Sequence, residues 1–125
     1  MLRHHGAVAQ TLLQEAGADP NAVDDLGNSP LYLLASEEDG VNDEAANLAG
    51  LLLSRGASPR LRGPMGVSPL HAAARTGKLE LVYLLVLTYG VGFDRDVDFY
   101  GQTPVFSAAA NGHDDVLEFL LRRSR

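Results

Sequence analysis

A chain of 125 residues with 46% hydrophobic and 21% charged side chains has the balance of one folded domain and excludes a disordered polar chain. Having no cysteine, it has no disulfide, no thiolate metal site and no cysteine nucleophile. Ten Lys and Arg against 16 Asp and Glu give a net charge of −6, a field that repels phosphate backbones, so nucleic acid is not expected as a partner. The longest apolar stretch, Leu81 to Leu87, falls well short of the roughly 18 residues of a membrane span. The start, Met1 to Gly6, lacks the apolar run of a secretory signal. A cytoplasmic or nuclear location is the expectation.

Read in chain order, the first landmark is Leu12-Leu13-Gln14-Glu15-Ala16-Gly17-Ala18, a helical end closed by glycine, followed by the polar turn Asp19-Pro20-Asn21-Ala22. Next comes Ser29-Pro30-Leu31-Tyr32, with Gly27 two residues ahead and Ala35 behind. A serine before a proline is an N-cap followed by the one helical position where a missing N–H costs nothing. An acidic run, Glu37 to Glu44, then lengthens the connection to a second helix ending in Leu51-Leu52-Leu53-Ser54-Arg55-Gly56-Ala57.

The same order then recurs. Ser68-Pro69-Leu70-His71 follows Gly66 and leads into Ala72-Ala73-Ala74, a run small enough to let a helix approach its neighbours closely. Thr76-Gly77 breaks that helix, and Leu79 to Val86 supplies the bulky second one, which ends at Gly90. Around Thr88-Tyr89 the copy has one residue too many, and Val91-Gly92-Phe93 stands where the other copies have a polar loop. The last copy runs from Gly101 through Thr103-Pro104-Val105-Phe106, Ala108-Ala109-Ala110 and Asn111-Gly112 to Phe119-Leu120-Leu121-Arg122-Arg123. The capping tetrapeptides are 39 and 35 residues apart. Each unit is read as helix, tight turn, helix and polar loop.

These motifs resemble those of the ankyrin-repeat family. The signature T-P-L-H-x-A is met by Ser68-Pro69-Leu70-His71-Ala72-Ala73 and more loosely at Ser29 and Thr103, and the family's loop by Gly17-Ala18-Asp19-Pro20-Asn21-Ala22. The resemblance implies an all-α solenoid of stacked helix-turn-helix units with short hairpin-like loops, a single array in units of about 4–23 (partial), 24–62, 63–97 and 98–125. It implies a non-enzymatic module for protein–protein interaction, a scaffold or adaptor portion of a longer repeat protein, or alternatively a small regulatory inhibitor of a partner enzyme. No cofactor and no metal are expected.

His71 and His113 attract attention as acid–base groups, but Tyr32 and Phe106 occupy the place of His71 in the other copies, which points to a structural role. Adjacent His4 and His5 do not share a helix face, and neither acidic cluster, Glu37 to Glu44 or Asp94 to Asp98, has the ligand spacing of a calcium loop. No phosphate-binding glycine motif and no nucleophile elbow occurs. By the resemblance, partners meet the hairpin tips and the exposed side of each first helix. The residues this selects are Leu26 and Asn28, Arg62, Met65 and Arg75, and Phe99, Tyr100, Gln102 and Asn111. Arg55 and Arg60 extend an arginine patch beside Arg62, a composition suited to carboxylate or phosphorylated partners. Asn21 sits where the family carries asparagines that can be hydroxylated. The apolar last helix has only Arg122, Arg123 and Arg125 as a polar cap, so a longer protein or self-association through the repeat ends is expected.

Overall fold

A computed structural model of the chain describes residues 19–37, 42–93 and 95–123. Residues 4–18 of the partial first unit, the pair His4-His5 among them, and most of the acidic run after Glu37 lie outside these residues. Among the described residues six α-helices alternate between an inner and an outer row, one short 3-10 turn (Pro64–Gly66) stands beside them, and no strand occurs. The inner row is α1 (Pro30–Ser36), α3 (Pro69–Thr76) and α5 (Pro104–Ala110). The outer row is α2 (Asn42–Ser54), α4 (Leu79–Tyr83, continued by a π-helical segment Leu84–Thr88) and α6 (Asp114–Arg123).

The inner helices begin as the capping motifs require. Ser29, Ser68 and Thr103 hold extended backbone, and each hydroxyl accepts from the amide three residues on, at 3.1–3.2 Å. Proline follows at the first helical position each time. Between stacked inner helices stand alanines: Ala35, Ala72, Ala73, Ala74 and Ala108 are all fully buried. The outer helices supply the larger core residues, Leu48, Leu52, Leu81, Leu85, Val116 and Leu120, which close over Leu31, Leu34 and Leu70 of the inner row. Full burial of each such side chain contributes about 1.5–3 kcal/mol.

The extra residue near Thr88 is absorbed inside α4 rather than in the loop. Tyr89 donates its N–H to the Leu84 carbonyl five residues back, at 3.3 Å, which is the wider turn of a π-helix. Val91 then donates to Leu85 at 3.0 Å, and Val91 and Phe93 turn inward and are buried. An apolar loop in place of a polar one is thereby explained.

Gly77 closes α3 in the left-handed region, with φ at 75°, and the His113 ring of the next unit lies against it. A Cβ there would come within 2.5 Å of His113 Nδ1. The ring cannot retreat cheaply, because its Nε2 donates to the Arg75 carbonyl at 2.8 Å. Gly112 ends α5 at a nearly identical φ of 73° but meets nothing. Gly77→Ala is therefore expected to lose stability at the upper end of the about 1–3 kcal/mol that a left-handed non-glycine costs, and Gly112→Ala at the lower end. Paired urea unfolding curves check this, and equal losses would show that the His113 contact is slack.

Candidate interaction surface

The hairpin ahead of α1 is organised by Asp24. Its Oδ1 accepts from the amides of Leu26 and Asn28, both at 2.9 Å, and its Oδ2 from the Asn28 side chain at 3.1 Å. Its own amide donates to the Asn28 carbonyl at 3.1 Å. The hairpin ahead of α5 repeats this around Asp98, which accepts from Tyr100 at 2.9 Å and from Gln102 at 3.0 Å. Neither aspartate is among the contact residues selected from the sequence, where Asp98 stands only as a member of the acidic cluster Asp94 to Asp98. Their signal was available as a shared spacing, Asp24-x-x-Gly27 and Asp98-x-x-Gly101.

The middle hairpin has Gly63 where the others have aspartate, and it is held from outside instead. Arg62 donates to the Gly66 carbonyl at 2.6 Å, crosses to the Val97 carbonyl of the next hairpin at 3.1 Å, and pairs with the Asp96 carboxylate. Phe99 completes the link: its amide donates to the Met65 carbonyl at 3.0 Å, and its ring covers Gly66. Met65 sits between these anchors in left-handed backbone, with φ at 60°, the only described non-glycine residue to do so.

Further ties join the units. The Ser68 amide donates to His71 Nδ1 at 3.3 Å, so Nε2 carries the proton and donates to the Gln102 carbonyl at 2.8 Å. Tyr32, in the same place one unit earlier, lays its ring on Gly63. Thr76 donates to the Ala35 carbonyl at 2.7 Å, and Lys78 Nζ to that of Glu37. Asn21 donates to the Gly56 carbonyl at 3.0 Å and accepts from the Ser58 amide at 2.7 Å. One unit later Arg60 spans the equivalent gap to the Tyr89 and Gly90 carbonyls, at 3.4 and 3.3 Å.

These bonds sort the residues selected from the sequence. Leu26, Met65, Phe99 and Tyr100 project from the tips, with 76%, 48%, 77% and 69% of their surface exposed. Asn28 and Gln102 are half-buried and belong to the hairpins' own hydrogen bonding. Arg62 is a cross-hairpin staple as much as a surface charge. Arg75 lends its carbonyl to His113, and exposed Asn111 donates from its side chain to the Ser107 carbonyl at 2.8 Å. Of the arginine patch, Arg60 and Arg62 commit guanidinium N–H groups to the fold. One exposed aromatic escaped selection: Phe106, half exposed on α5 at the position of Tyr32 and His71.

A row of hairpins tied edge to edge, carried on stacked helix pairs, defines a repeat protein that acts through its surface. The family model described as ankyrin repeats (3 copies) matches residues 40–125, and the chain belongs to the ankyrin-repeat proteins. It is a module for protein–protein interaction. It is 37% identical to cyclin-dependent kinase 4 inhibitor B of Mus musculus over 110 residues, 86% of this chain and 77% of that one. Cyclin-dependent kinase inhibitor 2A of Homo sapiens is also 37% identical over 110 residues, covering 86% of this chain and 64% of that one. Ankyrin repeat domain-containing protein 63 of Homo sapiens is 40% identical over 101 residues, 79% of this chain and 25% of that one.

The aspartates also make the hairpins sensitive to acid. Hydrogen bonds from the Asn28 backbone and side-chain amides hold the Asp24 carboxyl below its ordinary value. For Asp98, burial pushes upward, but the amides of Gln102 and Tyr100 and the nearby Arg62 charge outweigh it, and the net shift is again downward. A carboxyl with a lowered folded-state pKa contributes stability above its unfolded value, near 3.9, and loses it as pH falls through the folded value. Asp98→Asn keeps the acceptor oxygen and removes the charge. The melting temperature of the wild type should exceed that of the variant near neutral pH, and the gap should close below about pH 4. Melts by circular dichroism across a pH series check it; a gap independent of pH would be the wrong outcome.

Proposed function

We propose that this chain holds its partner along the hairpin tips, with Met65, Phe99 and Tyr100 as the central contact and Leu26 as a separate one. The observation that carries this reading is the contrast within the hairpins: their polar groups are occupied by the fold, while these large apolar side chains stand in solvent. Aromatic residues and methionine are favoured at interface centres, and tyrosine is a frequent hot spot. Asn28, Arg62, Arg75, Gln102 and Asn111 form the polar rim in this reading. In this reading the array comprises units of about 4–23 (partial), 24–62, 63–97 and 98–125, and the last three lend the contact residues. In its scaffold form, the module is a docking portion of a longer repeat protein.

A second reading is supported by a specific observation. The relatives of Mus musculus and Homo sapiens described above carry the name of cyclin-dependent kinase inhibitors and share most of this chain's length. On that reading the chain is a small regulator that blocks a cyclin-dependent kinase by occupying its surface, without chemistry of its own, in cytoplasm or nucleus.

Titration into a cyclin-dependent kinase 4 assay separates the two. Stoichiometric inhibition supports the regulator, and binding without inhibition supports the scaffold. In either case Tyr100→Ala is expected to weaken binding about tenfold or more, about 1.4 kcal/mol. Unchanged affinity in a variant with native circular dichroism would remove the tips from the interface.

A further inference from the structure

We propose that this chain has an anion site, suited to a phosphate group, over the loop that joins α4 to the hairpin ahead of α5. Two cavities adjoin there and share Gly92 and Asp96. Arg60, Arg62 and Val91 complete the smaller one, of about 110 Å³. Phe93, Arg95 and Arg123 complete the larger one, of about 430 Å³. Four of the chain's ten Lys and Arg residues thus gather round one glycine, although the chain as a whole is acidic.

The fold sets two of these arginines in place. Arg60 is fixed at the near end of the loop, on the Tyr89 and Gly90 carbonyls. Arg62 is fixed at its far end, on the Asp96 carboxylate and the Val97 carbonyl. Both Arg60 bonds use Nη2, so its Nη1 and Nε remain for a ligand, and Arg62 keeps its Nε. Guanidinium groups already held in position lose little freedom on binding. Arg95 and Arg123 are exposed and make no hydrogen bond or ion pair among the described residues. Val91 and Phe93 are turned inward, which leaves exposed Gly92 as the floor. A Cβ built there would meet nothing within 4 Å, so an oxyanion can come close to the backbone.

Charge selects the ligand. Asp96 is the one acidic residue of the lining, and its carboxylate already answers Arg62. Arg60, Arg62 and Arg95 less Asp96 leave a charge of +2, before Arg123 is counted. A single carboxylate would balance half of that, whereas a phosphate monoester carries about −1.5 to −2 and three acceptor oxygens. The smaller cavity has room for such a group, since one water takes roughly 10–15 Å³ of space of this kind. Guanidinium forks also hold phosphate through paired, parallel hydrogen bonds. Leu26, Met65, Phe99 and Tyr100 line neither cavity, so the site stands or falls separately from the tip contact proposed above.

Nuclear magnetic resonance titration of the 125-residue chain tests the site at constant ionic strength and about pH 7.5, where a phosphate monoester is doubly charged. The probes are inorganic phosphate, a blocked Gly-phosphoserine-Gly peptide and its unphosphorylated form. The expected result is saturable shifts of the Gly92 and Arg95 amides with the two phosphate probes, at a Kd of about 1 mM or tighter, and none with the third. Tighter binding of the phosphopeptide than of inorganic phosphate places the group on a protein partner, and equal binding assigns the site to the free ion. Gly92→Glu sets a carboxylate in the floor without strain, because Gly92 is not among the glycines with positive φ and its Cβ position is open. It should weaken binding about tenfold or more, and Arg95→Ala about threefold. Native circular dichroism of both variants confirms the fold. No saturable shift at these amides, an equal response to the unphosphorylated peptide, or unchanged affinity in either variant would each overturn the proposal.

Discussion

Stacking of the inner helices depends on alanine. Ala35, Ala72, Ala73, Ala74 and Ala108 leave nothing between the three inner helices that a neighbour must go around. Each inner helix therefore lies close to the next, and the hairpins that precede them are brought within hydrogen-bonding reach. Thr76 can touch the Ala35 carbonyl and His113 the Arg75 carbonyl only at such a spacing. The bulky residues are displaced to the outer row, where leucines and valines of α2, α4 and α6 complete the core. No unit buries its own faces, and stability is shared between neighbours, as expected of a one-dimensional array.

Within that frame the three described hairpins are not equivalent. The first and last are self-sufficient, because Asp24 and Asp98 satisfy their turn amides from within. The middle one has Gly63 in that place and takes its order from Arg62 and from the following hairpin. Asp96, Val97 and Phe99 all contribute to it. The tips of the third and fourth units are in consequence one mechanical piece, with Met65, Phe99 and Tyr100 presented in a fixed relation. Leu26 stands on a hairpin that holds itself. In the proposed reading a partner meets one preorganised patch and one independent contact, and preorganisation lowers the entropy that binding must offset.

Much of this was legible in the residues. The serine or threonine before proline located each inner helix, the alanine runs announced close stacking, and the presence of Tyr32 and Phe106 in the place of His71 argued for a structural histidine. Its bonds to Ser68 and to the Gln102 carbonyl give that role a geometry. What escaped was of two kinds. Asp24 and Asp98 act through amides two and four residues on, so their spacing was visible but carried no chemistry of its own. Arg62 and Arg60 act across units on backbone carbonyls, which no side-chain pattern reveals. The surplus residue near Thr88 was visible as a count, but a count does not say whether a loop bulges or a helix widens. Here the helix widens, and the loop is drawn in through Val91 and Phe93.

The same logic explains why the polar residues of this surface read poorly as a binding site on their own. Arginine, histidine and asparagine are the side chains most often credited with recognition, yet in this molecule they are the ones that join units. Asn21 and Arg60 bridge successive loops, Arg62 bridges hairpins, and His71 and His113 bridge inner helices to their neighbours. A donor already held by a carbonyl offers a partner only its remaining N–H groups. The side chains of Leu26, Met65 and Tyr100 stand exposed at the tips, and that of Phe99, although its ring covers Gly66, keeps most of its surface in solvent. In the proposed reading, recognition falls to the apolar side chains that the fold leaves exposed, with the polar residues as their rim.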